Sequence, residues 1–251
     1  MRYFIEISYK GTRYSGWQIQ PHAESIQESI QKALSLILKT PVKITGAGRT
    51  DAGVHAKQMF THFDINNEID TGSLINKLNS FLAPDIAIHH IFKVPDEAHA
   101  RFDALSRSYE YHIHTAKNPF LQEASWYFKK DLDIKKMNEA ARILLKYEDF
   151  KSFSKSKTDV KTYKCDIKEA FWEEKENAYI FHITADRFLR NMVRAIVGTL
   201  IEVGTGKMSP ADFEEVIKKR DRTQAGFSVP GHGLYLTKIE YPTKIMNYGN
   251  D

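Results

Sequence analysis

The chain has 251 residues, 42% of them hydrophobic and 27% charged, with a net charge of +4. This length suits one large domain or two modest ones with a sizeable core. No apolar run approaches the roughly 20 residues of a membrane helix, which argues against a membrane partner, and Met1 to Tyr9 alternates like a strand rather than a signal peptide. The single cysteine, Cys165, has no partner for an internal disulfide or a cysteine-based metal site. Its expected place is a small buried side chain in a protein of the reducing cytoplasm.

In chain order, Tyr3, Ile5, Ile7 and Tyr9 alternate with Phe4, Glu6 and Ser8, predicting a half-buried strand. Ile26, Ile30, Ala33, Leu34 and Ile37 then share one helical face. A short strand is expected at Val42–Ile44. After a glycine-rich loop, Met59, Thr61, Phe63 and Ile65 alternate as a strand. Leu74, Ile75, Leu78 and Leu82 mark a second helix that Pro84 stops, and Ile86–Val94 reads as a strand.

The second half opens with a strand from Arg107 to His114, with Tyr109, Tyr111 and Ile113 on one face. An amphipathic helix carries Met137, Ala141, Leu144 and Leu145, followed by strands at 166–172 and 178–185. The most apolar helix holds Leu189, Met192, Val193, Ile196, Val197, Leu200 and Ile201, with Gly204 expected as its cap. Ser209 and Pro210 start a short helix. Leu234–Tyr241 is a last strand before a polar tail. The pattern predicts an α+β plan, two related sub-domains sharing a sheet, divided near Ala98–Arg107 into 1–104 and 105–251.

The most informative stretch is Gly46-Ala-Gly48-Arg49-Thr50-Asp51-Ala-Gly53-Val-His55-Ala56. Three glycines leave little side-chain bulk, so a large flat group can approach the backbone, and a carboxylate in so open a loop is well placed for chemistry. A tight turn in which Asp51 satisfies its own backbone fits the spacing equally well. A phosphate loop is excluded, since no lysine follows Gly53. A dinucleotide fingerprint is disfavoured, since Asp51 holds the sixth position and a strand follows.

Positive charge is uneven. Lys151, Lys155, Lys157, Lys161 and Lys164 face one aspartate within fourteen residues, and Arg187, Arg190 and Arg194 form a second cluster. Cations interleaved with aromatics suit a polyanion such as nucleic acid, though a solvated loop explains the lysine run as well.

Four further segments join the glycine loop. They are Gly16-Trp17-Gln18-Ile-Gln20 within an aromatic turn (residues 9–20), Arg101-Phe102-Asp103-Ala104 followed by Tyr109-Glu-Tyr111, Arg190-Asn-Met192-Val193-Arg194, and Gly233-Leu234-Tyr235-Leu236. In spelling and order, the Gly-Trp-Gln-x-Gln turn, Gly-Arg-Thr-Asp-Ala-Gly-Val-His, Tyr-x-Tyr, Met-Val-Arg and Gly-Leu-x-Leu resemble the tRNA pseudouridine synthase A (TruA) family over nearly the whole chain. The turn from Phe227 to His232 matches least well.

The resemblance implies isomerisation of uridine to pseudouridine at positions 38, 39 and 40 of the tRNA anticodon stem-loop. It implies two ferredoxin-like (RRM-like) halves around a central antiparallel sheet, helices on one side, an active-site cleft between the halves, a homodimer and no cofactor. Asp51 matches the catalytic aspartate, acting as a nucleophile or as a base that allows elimination. Arg194 matches the arginine that pairs with it, Tyr109 the tyrosine that stacks on the uracil, and Arg49 an arginine that holds the flipped nucleotide or its phosphate. His55 has no required part in that mechanism, and packing is its expected role. A non-catalytic RNA-binding protein is the main alternative. Asp51 argues against it, because a carboxylate facing a polyanion weakens simple binding.

Overall fold

The computed structural model describes residues 1–155 and 160–248. They form two compact units. The first runs from Met1 to Ser106 and regains the chain from Leu236 onward; the second is Arg107–Tyr235.

In the first unit, β1 (Arg2–Tyr9), α1 (Ile26–Ile37), β2 (Thr45–Gly46), β3 (His55–Asp64), α2 (Thr71–Phe81) and β4 (Ile86–Val94) follow in order. The second contains β5 (Ser106–His114), β6 (Trp126–Tyr127), α3 (Ile134–Ile143), β7 (Ile167–Lys175), β8 (Ala178–Ala185), α4 (Met192–Gly204) and α5 (Pro210–Lys219). The last strand, β9 (Leu234–Glu240), starts in the second unit and ends in the first, ahead of a short helix α6 (Thr243–Met246) where only a polar tail was expected. The plan is mixed α+β with mostly antiparallel strands.

β1 lies between β4 and β3, antiparallel to both, with Ile5 opposite Thr61 and Ile91. Its alternation predicts one buried face, yet Phe4 is as buried as Ile5 and Ile7. The second face is covered from far along the chain. The ring of Tyr241 meets Phe4 at 5.4 Å and Phe60 at 5.2 Å, and its hydroxyl donates to the Ala100 carbonyl at 2.5 Å. For the same reason Phe60 and His62 are buried on β3 beside Met59, Thr61 and Phe63.

Val42 and Ile44 are buried, but they form no strand. Side chains of α1 take their backbone groups. Ser35 Oγ accepts from Val42 N–H at 3.0 Å, Gln31 Oε1 from Ile44 N–H at 3.3 Å, and Gln27 Nε2 donates to the Ile44 carbonyl at 2.9 Å. The strand appears two residues later as β2, paired to β3.

In the second unit β8 lies between β5 and β7, antiparallel to both, while β6 pairs parallel with β5. Helix α4 packs against α3 and α5, and of its thirteen residues only Arg194 and Glu202 are not buried. Its expected glycine cap falls elsewhere. Gly204 is helical, and Gly206 carries the left-handed φ of 74°. Gly204 is small for packing: a Cβ there would press on the Met137 sulfur and come within 2.9 Å of Leu132 Cδ2. α5 starts as expected, with Ser209 and Asp212 in a reciprocal capping box.

Two stability predictions follow from this packing. In an ordinary helix Gly198→Ala would stabilise by about 1 kcal/mol. Here the new Cβ would run into the Phe227 carbonyl, with its carbon at 2.9 Å. We expect the substitution to destabilise by about 1–3 kcal/mol instead, read as a lowered thermal midpoint.

His62 accepts the Ala100 N–H at Nδ1 at 3.1 Å, so its ring is held neutral. Burial lowers its pKa from 6.5 to about 4, helped by the Arg2 and His99 charges. The unfolded chain therefore takes up this proton first. The stabilisation is whole above pH 6.5 and is lost as pH falls toward 4. The stability advantage of wild type over His62→Gln should shrink by roughly 2 kcal/mol between pH 7 and 5 in urea titrations.

Candidate active site

The glycine loop of the first unit is braced by the aromatic turn of residues 9–20. Trp17 N–H donates to the Thr50 carbonyl at 3.1 Å, and Gly53 N–H to the Tyr14 carbonyl at 3.4 Å. The Tyr9 and Thr50 hydroxyls meet at 2.8 Å. Gly16 has φ 103°, which a side chain rarely adopts. A Cβ there would overlap the Thr50 carbonyl and stand 3.0 Å from the Asp51 carbonyl carbon and 3.2 Å from Ala52 N.

Beneath the loop the Trp17 indole is 1% exposed, and a Cβ on Gly46 would lie 2.5–2.6 Å from its ring. His55 is 2% exposed and accepts the Gly11 N–H at Nδ1 at 3.0 Å, tying the start of the turn to the end of the loop. Packing, as expected, is where the histidine is used. The aromatic turn is thus the mould of the glycine loop.

Within that mould Asp51 is half-buried and its carbonyl accepts from Val54 N–H at 3.2 Å, while Arg49 is exposed. The loop therefore closes as a turn and still presents a carboxylate and a cation two residues apart. A Cβ on Gly48 would meet nothing within 4 Å, so the loop is open beside Arg49.

Tyr109 and Arg194 belong to the second unit. Tyr109 is half-buried on β5, opposite Ile183, with its ring edge-on to Phe188 at 5.1 Å. That contact holds a tyrosine ring upright without burying it. Arg194 is held reciprocally by the turn before β9. Its Nε donates to the Val229 carbonyl at 2.7 Å, and its own carbonyl accepts Val229 N–H at 3.3 Å.

The next carbonyl, Pro230, accepts the hydroxyl of the fully buried Tyr111 at 3.0 Å. Burial raises the Tyr111 pKa well above the ordinary phenol range, opposed by the Arg194 charge. His232 in the same turn is shifted down by burial, then by the His114 and Arg194 charges. Asn191, at φ 67°, begins α4 and donates to Ser228 Oγ at 2.7 Å. These contacts give tasks to the Phe227–His232 turn, the stretch that matched least well in sequence.

The basic clusters meet at the backbone, where Lys155 N–H donates to the Arg190 carbonyl at 3.0 Å. Lys164 pairs with Glu148 at 3.2 Å, and Lys151 stands 5.7 Å over the Tyr163 ring. Lys157 lies outside the described residues. Cys165 is buried, and its thiol is pushed up to about 12 by burial, opposed by the Arg187 charge. Among the described residues no group of three His, Cys, Asp or Glu is placed to hold a metal ion, and no helix is long and apolar enough to cross a membrane.

A family model described as tRNA pseudouridine synthase matches residues 6–103 and 140–242. The chain belongs to the tRNA pseudouridine synthase family. Within that class it is similar to proteins named tRNA pseudouridine synthase A. That of Bacteroides thetaiotaomicron is 51% identical over 249 residues, covering 98% of this chain and 93% of the relative. That of Parabacteroides distasonis is 51% identical over 246 residues, covering 98% of both. The Bacillus subtilis protein is 38% identical over 245 residues, covering 96% of this chain and 99% of the relative.

The brace is open to a direct test. Gly16→Ala adds one methyl against the backbone of residues 50–52 and changes no side chain of the loop itself. It should lower turnover at least tenfold, about 1.4 kcal/mol of barrier, while far-ultraviolet dichroism stays native. Unchanged turnover would mean that the loop does not depend on the turn.

Proposed function

We propose that this chain isomerises uridine to pseudouridine in the anticodon stem-loop of tRNA, at positions 38, 39 and 40, with Asp51 as the catalytic carboxylate. The supporting observation is a half-buried aspartate set in a glycine loop whose backbone is clamped by a second glycine turn, in a chain of this family. A carboxylate is the only charge the isomerisation requires. The N1–C1′ bond breaks, the uracil rotates, C5–C1′ forms and the C5 proton leaves. Asp51 attacks as nucleophile, or removes a proton so that the sugar passes through a glycal. An ordinary aspartate, pKa about 3.9, is ionised for either task at neutral pH.

Arg194 is assigned the pairing role. Its Nε is committed to Val229, and a planar guanidinium fixed at one nitrogen is aimed at the others in a way that lysine cannot reproduce. Tyr109, propped by Phe188, is assigned to stack on the uracil, a contact worth roughly 1–3 kcal/mol. Arg49, exposed beside Asp51, is assigned to the flipped nucleotide or its phosphate, since the uridine must leave the stack to react. The wider reading is a cytoplasmic homodimer of two ferredoxin-like halves sharing one sheet, the cleft between them holding one stem-loop without a cofactor.

Asp51→Asn should abolish pseudouridine formation while tRNA affinity holds or tightens slightly, because only a negative charge is removed. Single-turnover assays beside filter binding test this. Turnover within about tenfold of wild type, roughly 1.4 kcal/mol, would remove Asp51 from the chemistry.

A further inference from the structure

The reaction at Asp51 leaves the segment Ala98–Asp103 without a task. This segment is bound tightly to itself and to the core. His99 N–H donates to Asp103 Oδ2 at 2.7 Å and Ala100 N–H to His62 Nδ1 at 3.1 Å. Arg101 and Phe102 N–H both reach His99 Nδ1, at 3.1 and 3.3 Å. Asp103 N–H returns to the His99 carbonyl at 3.1 Å. Five consecutive backbone donors are thus engaged, and the Tyr241 hydroxyl takes the Ala100 carbonyl.

So rigid a loop nevertheless holds Phe102 74% exposed. Behind Phe102 stand the ring of His99 at 4.2 Å and, behind that, the buried ring of His62 at 4.7 Å from His99. The three rings form a column running from the core to the surface. Its outer end is Phe102, with the Arg101 guanidinium lying over the ring, 5.7 Å from its centroid.

We propose that Phe102 is a stacking platform for one unpaired nucleobase of the tRNA substrate, with Arg101 beside the adjoining phosphate. This rests on the function proposed above. Every base has a π face, so an aromatic ring fixed in advance binds one without ordering cost in the loop. The Arg101 cation, on a long side chain that lies over the ring, suits the phosphate of that nucleotide. Asp103, the nearest acid in the segment, already accepts from the loop's own N–H, so its charge is partly engaged.

The test is equilibrium binding of an anticodon stem-loop RNA and of whole tRNA to wild type, Phe102→Leu, Phe102→Tyr and Arg101→Gln over a series of salt concentrations. Phe102→Leu keeps apolar bulk but has no π face, and should weaken binding roughly 5- to 150-fold, with the salt slope unchanged. Phe102→Tyr should stay within about twofold. Arg101→Gln should flatten the salt slope by roughly 0.7–0.9. Thermal midpoints should hold in both Phe102 variants, since the ring is mostly in water.

If Phe102→Leu binds as wild type does while wild type makes pseudouridine, the platform is overturned and the function stands. If affinity falls only together with a drop in mass by light scattering, Phe102 is a protein contact and the platform is again overturned. Ring-dependent binding by a wild type that makes no pseudouridine supports the platform and overturns the function instead.

Discussion

The site depends on one close approach of two backbones, Gly16 against Thr50–Ala52. There is no room between them for a single methyl group, and hydrogen bonds from Trp17 N–H to Thr50 and from Gly53 N–H to Tyr14 cross the seam. A loop with three glycines would be flexible by itself, since glycine loses more freedom on ordering than any other residue. Here the ordering is imposed from outside, by the turn, by the Trp17 indole under Gly46 and by the His55 ring on Gly11. The glycines are therefore required for contact at least as much as for open space above Asp51. The backbone that carries the half-buried Asp51 is thereby fixed from outside the loop.

The second unit solves the matching problem by the same device. Arg194 lies on a helix that is otherwise almost wholly buried, and the backbone of Val229 holds it from both its own ends. Glycines again stand where chains touch. Gly198 admits the Phe227 carbonyl, a Cβ on Gly226 would come within 3.0 Å of α4 backbone, and one on Gly233 would press on the Tyr111 ring. Thr199 Oγ1 accepts Gly226 N–H at 2.9 Å, fastening the turn from its other side. Charge and aromatic groups thus rest on rigid elements, and the flexible parts of the sequence are the ones packed most closely.

Much of the fold is legible in the sequence where an element is decided by its own residues. β4 and the start of α5 fall where alternation and the Ser209–Pro210 cap place them, and α1 follows its apolar stripe. The misses share one physical cause. Alternation in β1 describes its own face pattern but says nothing of Tyr241, more than two hundred residues away, which buries the other face. Val42 and Ile44 have strand-like side chains, yet Ser35 and Gln31 of α1 capture their N–H groups. Gly204 looked like a cap and is a packing contact with Met137. The proposed site residues stand in motifs of the sequence, whereas the contacts that brace them do not. Nothing in the sequence shows Trp17 lying under Gly46, and the Phe227–His232 turn matches least well, because the partners that give them meaning are distant in the chain.

The most direct measurement is a pseudouridine map, at single-nucleotide resolution, of unmodified tRNA incubated with the purified protein. The account predicts new pseudouridine at positions 38, 39 and 40 of the anticodon stem-loop and at no other uridine. A map without new pseudouridine, or with modification confined to another arm of the tRNA, would contradict it.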